Sequence, residues 1–330
     1  MNVNSILHDI IIPLCIGLAI FLFGMKIMEL ALHQLAGPYL KLALQRFTKT
    51  PLRGLLVGTG LTAFLQSSST ITVITIGFVN AGILTFPQTM GIILGTNIGT
   101  VITTELIGLN LNAIGLPLFI ASASIWTFSL LFIARSTAKF KDSTAFRTIQ
   151  YSSMAGAGFS SILMGLDLMQ LITPALQSQG LFTWFVEQSQ RSLLWGVIAG
   201  AAVTAVINSS AAAIAIAMGL ASVHAISIDL GVAMMLGANV GTTGTALIAS
   251  IGSSKYGQMV AWFHIALNML GVVLFFPMLH VLTNVSMELA STPSGQIARA
   301  QTLFNVISSL IVLPLCYLPF WKKLTPKSAA

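Results

Sequence analysis

GTGLTAFLQSSS, residues 58–69, and GAAVTAVINSSA, residues 200–211, are two versions of one segment. Each sets a short polar cluster in the middle of apolar chain. Each is followed by a second matching stretch, LGTNIGTVIT (94–103) and LGANVGTTGT (236–245). Thr62 precedes Thr204 by 142 residues, and the same interval separates Ser67 from Ser209, Asn97 from Asn239 and Thr100 from Thr242, so no gap falls between the two motifs. Matching interruptions of hydrophobic segments, one per half, point to the binding site of a secondary transporter.

Composition sets the class. Of the 330 residues, 55% are hydrophobic and only 7% charged, against about 25% charged in a soluble domain. The chain is therefore read as an all-α polytopic membrane protein, with the lipid bilayer as its surroundings. The net charge of +7 does not indicate nucleic acid, because the basic residues lie in short loops between apolar spans. Cys15 and Cys316 both fall within spans and form no disulfide framework or metal-binding spacing. The N-terminal stretch MNVNSILHDIIIPL lacks a basic region and a small-residue cleavage site, so the first span is expected to be retained.

Apolar patterning predicts a first span at 10–35, a basic connection at 36–53 and an apolar stretch at 54–82 centred on the serines. A span at 86–108, broken at 96–100, and another at 111–134 follow. The order repeats as 148–173, 192–222, a broken span at 228–252 and 258–283; 297–320 is one further span. Gly24-Met25-Lys26 also meets Gly165-Leu166-Asp167, 141 residues on. The expected organisation is a first repeat (1–134), a cytoplasmic linker (135–147), a second repeat (148–283) and an extra helix with a short basic tail (284–330).

Each apolar arm beside the serines is too short to cross alone, since a spanning helix needs about 20 residues. The segment is either one crossing helix with serines at its centre or a re-entrant hairpin with serines at its tip. Charge decides between them. With hairpins and the N-terminus outside, twelve Lys and Arg residues face the cytoplasm and two, Arg191 and Arg299, face out; with single crossings the score is nine against five. Hairpins give three crossings per repeat, so the second repeat is inverted and the two tips can approach the midplane, an architecture suited to alternating access.

Tip chemistry favours ions. Ser and Asn oxygens suit a hard cation, and a half-helix N-terminus suits an anion. Gly95, Gly99, Gly237 and Gly241 are expected to let the broken spans unwind. One site can hold an oxyanion and Na⁺ side by side, each offsetting the other's charge.

The duplicated QSSS-type motif, each copy followed by G-x-N-x-G-T, resembles the type II sodium/phosphate cotransporter family over roughly 15–270. The resemblance implies a Na⁺-coupled transporter of inorganic phosphate in the plasma membrane (the bacterial inner membrane), with the N-terminus outside, the C-terminus cytoplasmic and no cofactor beyond Na⁺ as coupling ion. It also implies that Gln66, Ser67, Ser68, Ser69, Asn208, Ser209 and Ser210 hold substrate and Na⁺, with Asn97, Thr100, Asn239, Thr242 and the adjacent Thr243 from the broken spans. The second motif departs from the family pattern, with Asn208 in place of Gln and Ala211 in place of a third Ser.

Other polar residues have plainer readings. Lys26 and Glu29 are spaced to pair. Glu105, with Leu247 at its repeat position, and Asp167, with Lys26 at its own, are intramembrane carboxylates and hence candidate coupling groups. His264 and Asn268 suit interhelical hydrogen bonding. No arginine or lysine stands at either tip, so another oxyanion or a carboxylate remains an alternative cargo, and duplicated hairpins also build ion channels. No HExxH, paired carboxylates or Ser/His/Asp set supports an enzyme. The oligomeric state is open, a homodimer being one arrangement allowed.

Overall fold

The computed structural model describes residues 6–135 and 143–322. Most of the 135–147 linker and the tail beyond 322 lie outside them. Among the described residues every regular element is helical, and seven stretches are long and apolar enough to cross a membrane.

In the first half α1 (Ile12–Arg46) leads to α2 (Pro51–Leu65), α3 (Ser68–Asn80), α4 (Phe86–Gly108) and α5 (Gly115–Arg135). The second half runs α6 (Thr144–Gln170), α7 (Thr173–Gln177), α8 (Gly180–Arg191), α9 (Leu194–Ile207), α10 (Ser210–Ser222), α11 (Ile228–Gly241), α12 (Thr243–Ser250) and α13 (Lys255–Phe275). A 3₁₀ turn at Phe276–Met278 joins α13 to α14 (Leu279–Leu289), and α15 (Pro293–Val312) closes the set. Helix starts follow local chemistry: Thr50, Ser67, Ser209, Ser227, Ser254 and Thr292 each accept a hydrogen bond from a backbone N–H of the first turn, which satisfies a donor the helix itself cannot.

The helices gather into two compact units that cut across the repeats. The first combines residues 1–38 with 110–183, and the second 39–109 with 184–330. In the first unit α1 and α6 touch backbone to backbone through glycines. A Cβ on Gly24 would lie 2.6 Å from the Gly158 carbonyl oxygen, and one on Gly165 would lie 2.6 Å from that of Gly17. The contacts descend α6 as they climb α1, so the two helices are antiparallel. Lys26 and Glu29 pair on α1 at 2.9 Å, as their spacing predicts.

In the second unit α2 and α4 are parallel neighbours. A Cβ on Gly58 would stand 2.5 Å from the Ile92 carbonyl oxygen, and one on Gly99 would stand 2.6 Å from Thr62 Cβ. The chain climbs α2, and α4 begins again beside the start of α2, so α3 must carry it back. The α2 arm is about 22 Å long and the α3 arm about 20 Å, from their 15 and 13 residues at about 1.5 Å per residue. The second half repeats the arrangement: a Cβ on Gly241 would meet Ala201 O and Thr204 Cβ, each at 2.6 Å.

Three expectations need correction. The break predicted at 96–100 is absent, and α4 is one continuous helix of 23 residues. Gly95 and Gly99 are there for close approach to α2, not for unwinding. The hydroxyls of Thr96 and Thr100 return to carbonyls of the same helix, Ile93 O and Thr96 O, both at 2.8 Å, so they leave no gap in it. In the second half only Thr242 separates α11 from α12, and its own φ and ψ (−61° and −25°) are helical. Finally, α1 continues as helix to Arg46 where a connection was expected from residue 36.

Candidate functional site

Both hairpin turns have the same backbone. Gln66 is left-handed (φ 56°, ψ 27°) and Ser67 extended (φ −146°, ψ 98°); Asn208 (φ 59°, ψ 30°) and Ser209 (φ −148°, ψ 109°) repeat them. A non-glycine residue at positive φ is strained unless neighbours fix it. Gln66 is fixed by its side chain, whose Nε2 donates to Ala63 O and whose Oε1 accepts from Thr103 Oγ1 on α4 at 2.6 Å. Asn tolerates this conformation better, and Asn208 adopts it as an exposed residue.

The first serine of each cluster is spent on structure. Ser67 Oγ accepts from Thr70 N at 3.3 Å, and Ser209 Oγ from Ala212 N at 3.2 Å. Ser68 and Ser210 then occupy the first turn of α3 and α10, where backbone N–H groups are left over and the helix dipole is positive. Ser68 and Ser69 are half-buried, whereas Ser210 is buried. No charged residue belongs to either turn.

The remaining expected ligands also have partners within the helices. Asn97 reaches across to α13, its Nδ2 donating to Asn268 Oδ1 at 3.4 Å, which realises the interhelical role expected of Asn268. Asn239 is buried and turns back, its Nδ2 donating to the Met235 carbonyl at 2.8 Å. The hydroxyls of Thr242 and Thr243 donate within their own segment, to Ala238 O and Val240 O. α4 and α15 are common walls: α4 packs on α2, α3, α10, α13 and α15, and α15 on α4, α10, α11, α13 and α14.

Glu105 is not a free carboxylate. One oxygen accepts from Thr302 Oγ1 at 2.5 Å, and the other is paired with Arg299 of α15. Sequence reasoning placed Arg299 among the outward-facing charges and did not pair it. Thr103 was missed as well, because a threonine in the run 100–104 carries no mark that it holds Gln66.

A family model described as Na⁺/Pi-cotransporter matches residues 20–171 and 162–291. The chain is 32% identical over 296 residues to protein YqeW of Bacillus subtilis (strain 168), a match covering 89% of this chain and 91% of that one. It is 24% identical over 299 residues to YjbB of Escherichia coli (strain K12), whose name proposes inorganic phosphate export; the match covers 90% of this chain and 52% of YjbB. A shorter stretch of 84 residues is 36% identical to human sodium-dependent phosphate transport protein 2C, covering 24% of this chain and 14% of that protein. No solved structure matches the chain.

Proposed function

Because this chain belongs to the Na⁺/Pi-cotransporter family, we propose that it carries inorganic phosphate across the bacterial inner membrane by alternating access, coupled to Na⁺. The observation that carries this reading is the pair of identically built turns, each delivering a hydroxyl to the first turn of a 13-residue helix. In this reading phosphate binds the leftover N–H groups of α3 and α10 and the hydroxyls of Ser68, Ser69 and Ser210. Na⁺ takes oxygens from the same turns and from Asn97, Thr100, Asn239, Thr242 and Thr243, and balances the anion's charge where no arginine does.

The hairpins are proposed to be re-entrant, since arms of about 20 Å fall short of a hydrocarbon core of about 30 Å. The repeats are proposed to be inverted. The antiparallel, reciprocal contact of α1 with α6 supports this, because positions 17 and 24 meet 165 and 158, the repeat equivalents of each other. The N-terminus is then outside and the C-terminus cytoplasmic. Net direction follows the ion and substrate gradients, since coupling between two ligands is reciprocal.

The test is uptake of labelled phosphate into proteoliposomes under an imposed Na⁺ gradient, with excess sulfate or succinate as competitor. Saturable, Na⁺-dependent uptake resistant to both is expected. Uptake of a competitor instead keeps the architecture and changes the cargo, and flux without saturation indicates a channel.

A further inference from the structure

A cleft of about 750 Å³ opens at the base of the second hairpin, where the chain enters α9 and where α10 hands over to α11. The start of α14 lines it too. Its charged and titratable lining is Arg191, His224, Asp229 and His280, beside the apolar Phe276 and Leu279. The hairpin turn at Asn208 and Ser209 stands one 14-residue arm away, about 20 Å. The cleft is therefore separate from the turns described above.

The repeat sets this lining apart. At the 142-residue interval Gly82 stands for His224 and Pro87 for Asp229, whereas Lys49 matches Arg191 in charge. Gly82 and His224 occupy the same left-handed position after the second arm, at φ 68° and 57°. Each N–H donates three residues back, Gly82 to Val79 O at 3.1 Å and His224 to Ala221 O at 3.0 Å. Glycine fits such a position and a side chain is disfavoured there. The second half holds an imidazole in it nonetheless, on the wall of a cleft.

The cleft offers donors and an acceptor together. Arg191 is exposed and forms no ion pair with a described residue, so its guanidinium is open to an oxyanion. His224, also exposed, adds a ring N–H. Asp229 is the acceptor. His280 Nδ1 stands 3.2 Å from Asp229 Oδ2, and Asp229 Oδ1 is buried without a partner. A carboxylate with about four acceptor positions is thus met by one side-chain donor. The first turn of α11 favours its charge, but that leaves the arginine and the strained histidine unexplained. No grouping of three His, Cys, Asp or Glu among the described residues could hold a metal. The matching ligand has oxyanion oxygens for Arg191 and His224 and a donor for Asp229 Oδ2. Inorganic phosphate has both at neutral pH, because it keeps a P–OH. Sulfate is fully ionised there, and its oxygens would face the carboxylate with no proton between them.

We propose that Arg191, His224 and Asp229 form an outer-face subsite that admits phosphate bearing a P–OH and rejects sulfate. It rests on the phosphate reading and the topology above. It places selection between oxyanions at the base of the hairpin, in charged side chains that the turns lack.

The test is the rate at which phenylglyoxal modifies Arg191 in the purified full chain, read by peptide mass spectrometry at constant ionic strength. Phosphate is expected to protect Arg191 at concentrations at least about tenfold lower than sulfate. Asp229→Asn, whose amide can donate to either anion, is expected to bring the two within about twofold. His224→Gly installs the residue of the first half and relieves the left-handed position. It is expected to raise the phosphate concentration for half-protection about fivefold, and it decides if Asp229→Asn does not fold. Equal protection by the two anions in the wild type, protection by neither, or protection unmoved in both variants would overturn the subsite. Phosphoethanolamine, the headgroup of a phospholipid, joins a phosphate to a donor as well; stronger protection by it than by phosphate would overturn the subsite in favour of a lipid site. Ser68→Ala is expected to lose uptake and keep the protection of Arg191. Protection without Na⁺-dependent uptake by the wild type upholds the subsite and sinks the transport reading. Uptake without protection does the reverse.

Discussion

At the residue scale, chemistry is concentrated in the residue after each cap. Ser67 and Ser209 are committed to helix starts, so Ser68 and Ser210 are the hydroxyls offered to cargo in the proposed site. Ser68→Ala and Ser210→Ala are expected to cut phosphate uptake at least about tenfold, a loss of roughly 1.4 kcal/mol of binding in the transport cycle, while the purified protein keeps its elution profile. Normal uptake in both would remove the turns from the site. Gln66→Ala deletes the tie to Thr103 and should lower the unfolding temperature by an amount corresponding to about 0.5–1.5 kcal/mol. Asn208→Gln should be tolerated, because the left-handed position already accepts Gln in the first turn. The serine clusters and their pairing were legible because repetition marks them. Thr103 and Arg299 were not, because what identifies them is a partner on another helix.

At the element scale, one compositional signal had two physical meanings. Glycine with Asn and Thr inside an apolar span reads equally as a place to unwind or as a place to let another helix in, and only the neighbour decides. Here the neighbour is α2, and α4 stays continuous. Gly95→Ala and Gly237→Ala should each destabilise by about 1–3 kcal/mol in thermal unfolding, since their Cβ atoms would enter the backbone of Leu55 and Val197. Gly60→Ala and Gly77→Ala, whose Cβ atoms meet nothing within 4 Å, should be neutral or stabilising by up to about 1 kcal/mol. Similar effects at all four positions would mean that α2 does not touch α4, nor α9 α11, at these glycines. The existence, order and length class of the spans were legible from hydropathy, because burial in lipid demands about 20 apolar residues whatever the neighbours are.

At the scale of the whole molecule, the duplication was visible in sequence but the compact units were not, because each takes pieces from both halves. No local pattern records that. Topology is the property to measure. After replacement of Cys15 and Cys316, which are free thiols, single cysteines in the 135–147 linker should be labelled from the cytoplasmic face. Labelling from outside would overturn the inverted arrangement and the re-entrant hairpins with it.

The glycine contact between α1 and α6 also bears on how such a chain could arise. Its two sides are the same surface, with positions 17 and 24 on one and 158 and 165 on the other. A helix carrying that surface fits a second copy of itself laid antiparallel, related to it by a two-fold axis. A gene for one half alone would then yield a product able to self-associate in opposite orientations, and fusion would have fixed one copy each way. Residues 1–141 and 142–330 expressed as separate polypeptides should therefore find each other in the membrane and co-purify, and leucine at both Gly24 and Gly165 should keep them apart.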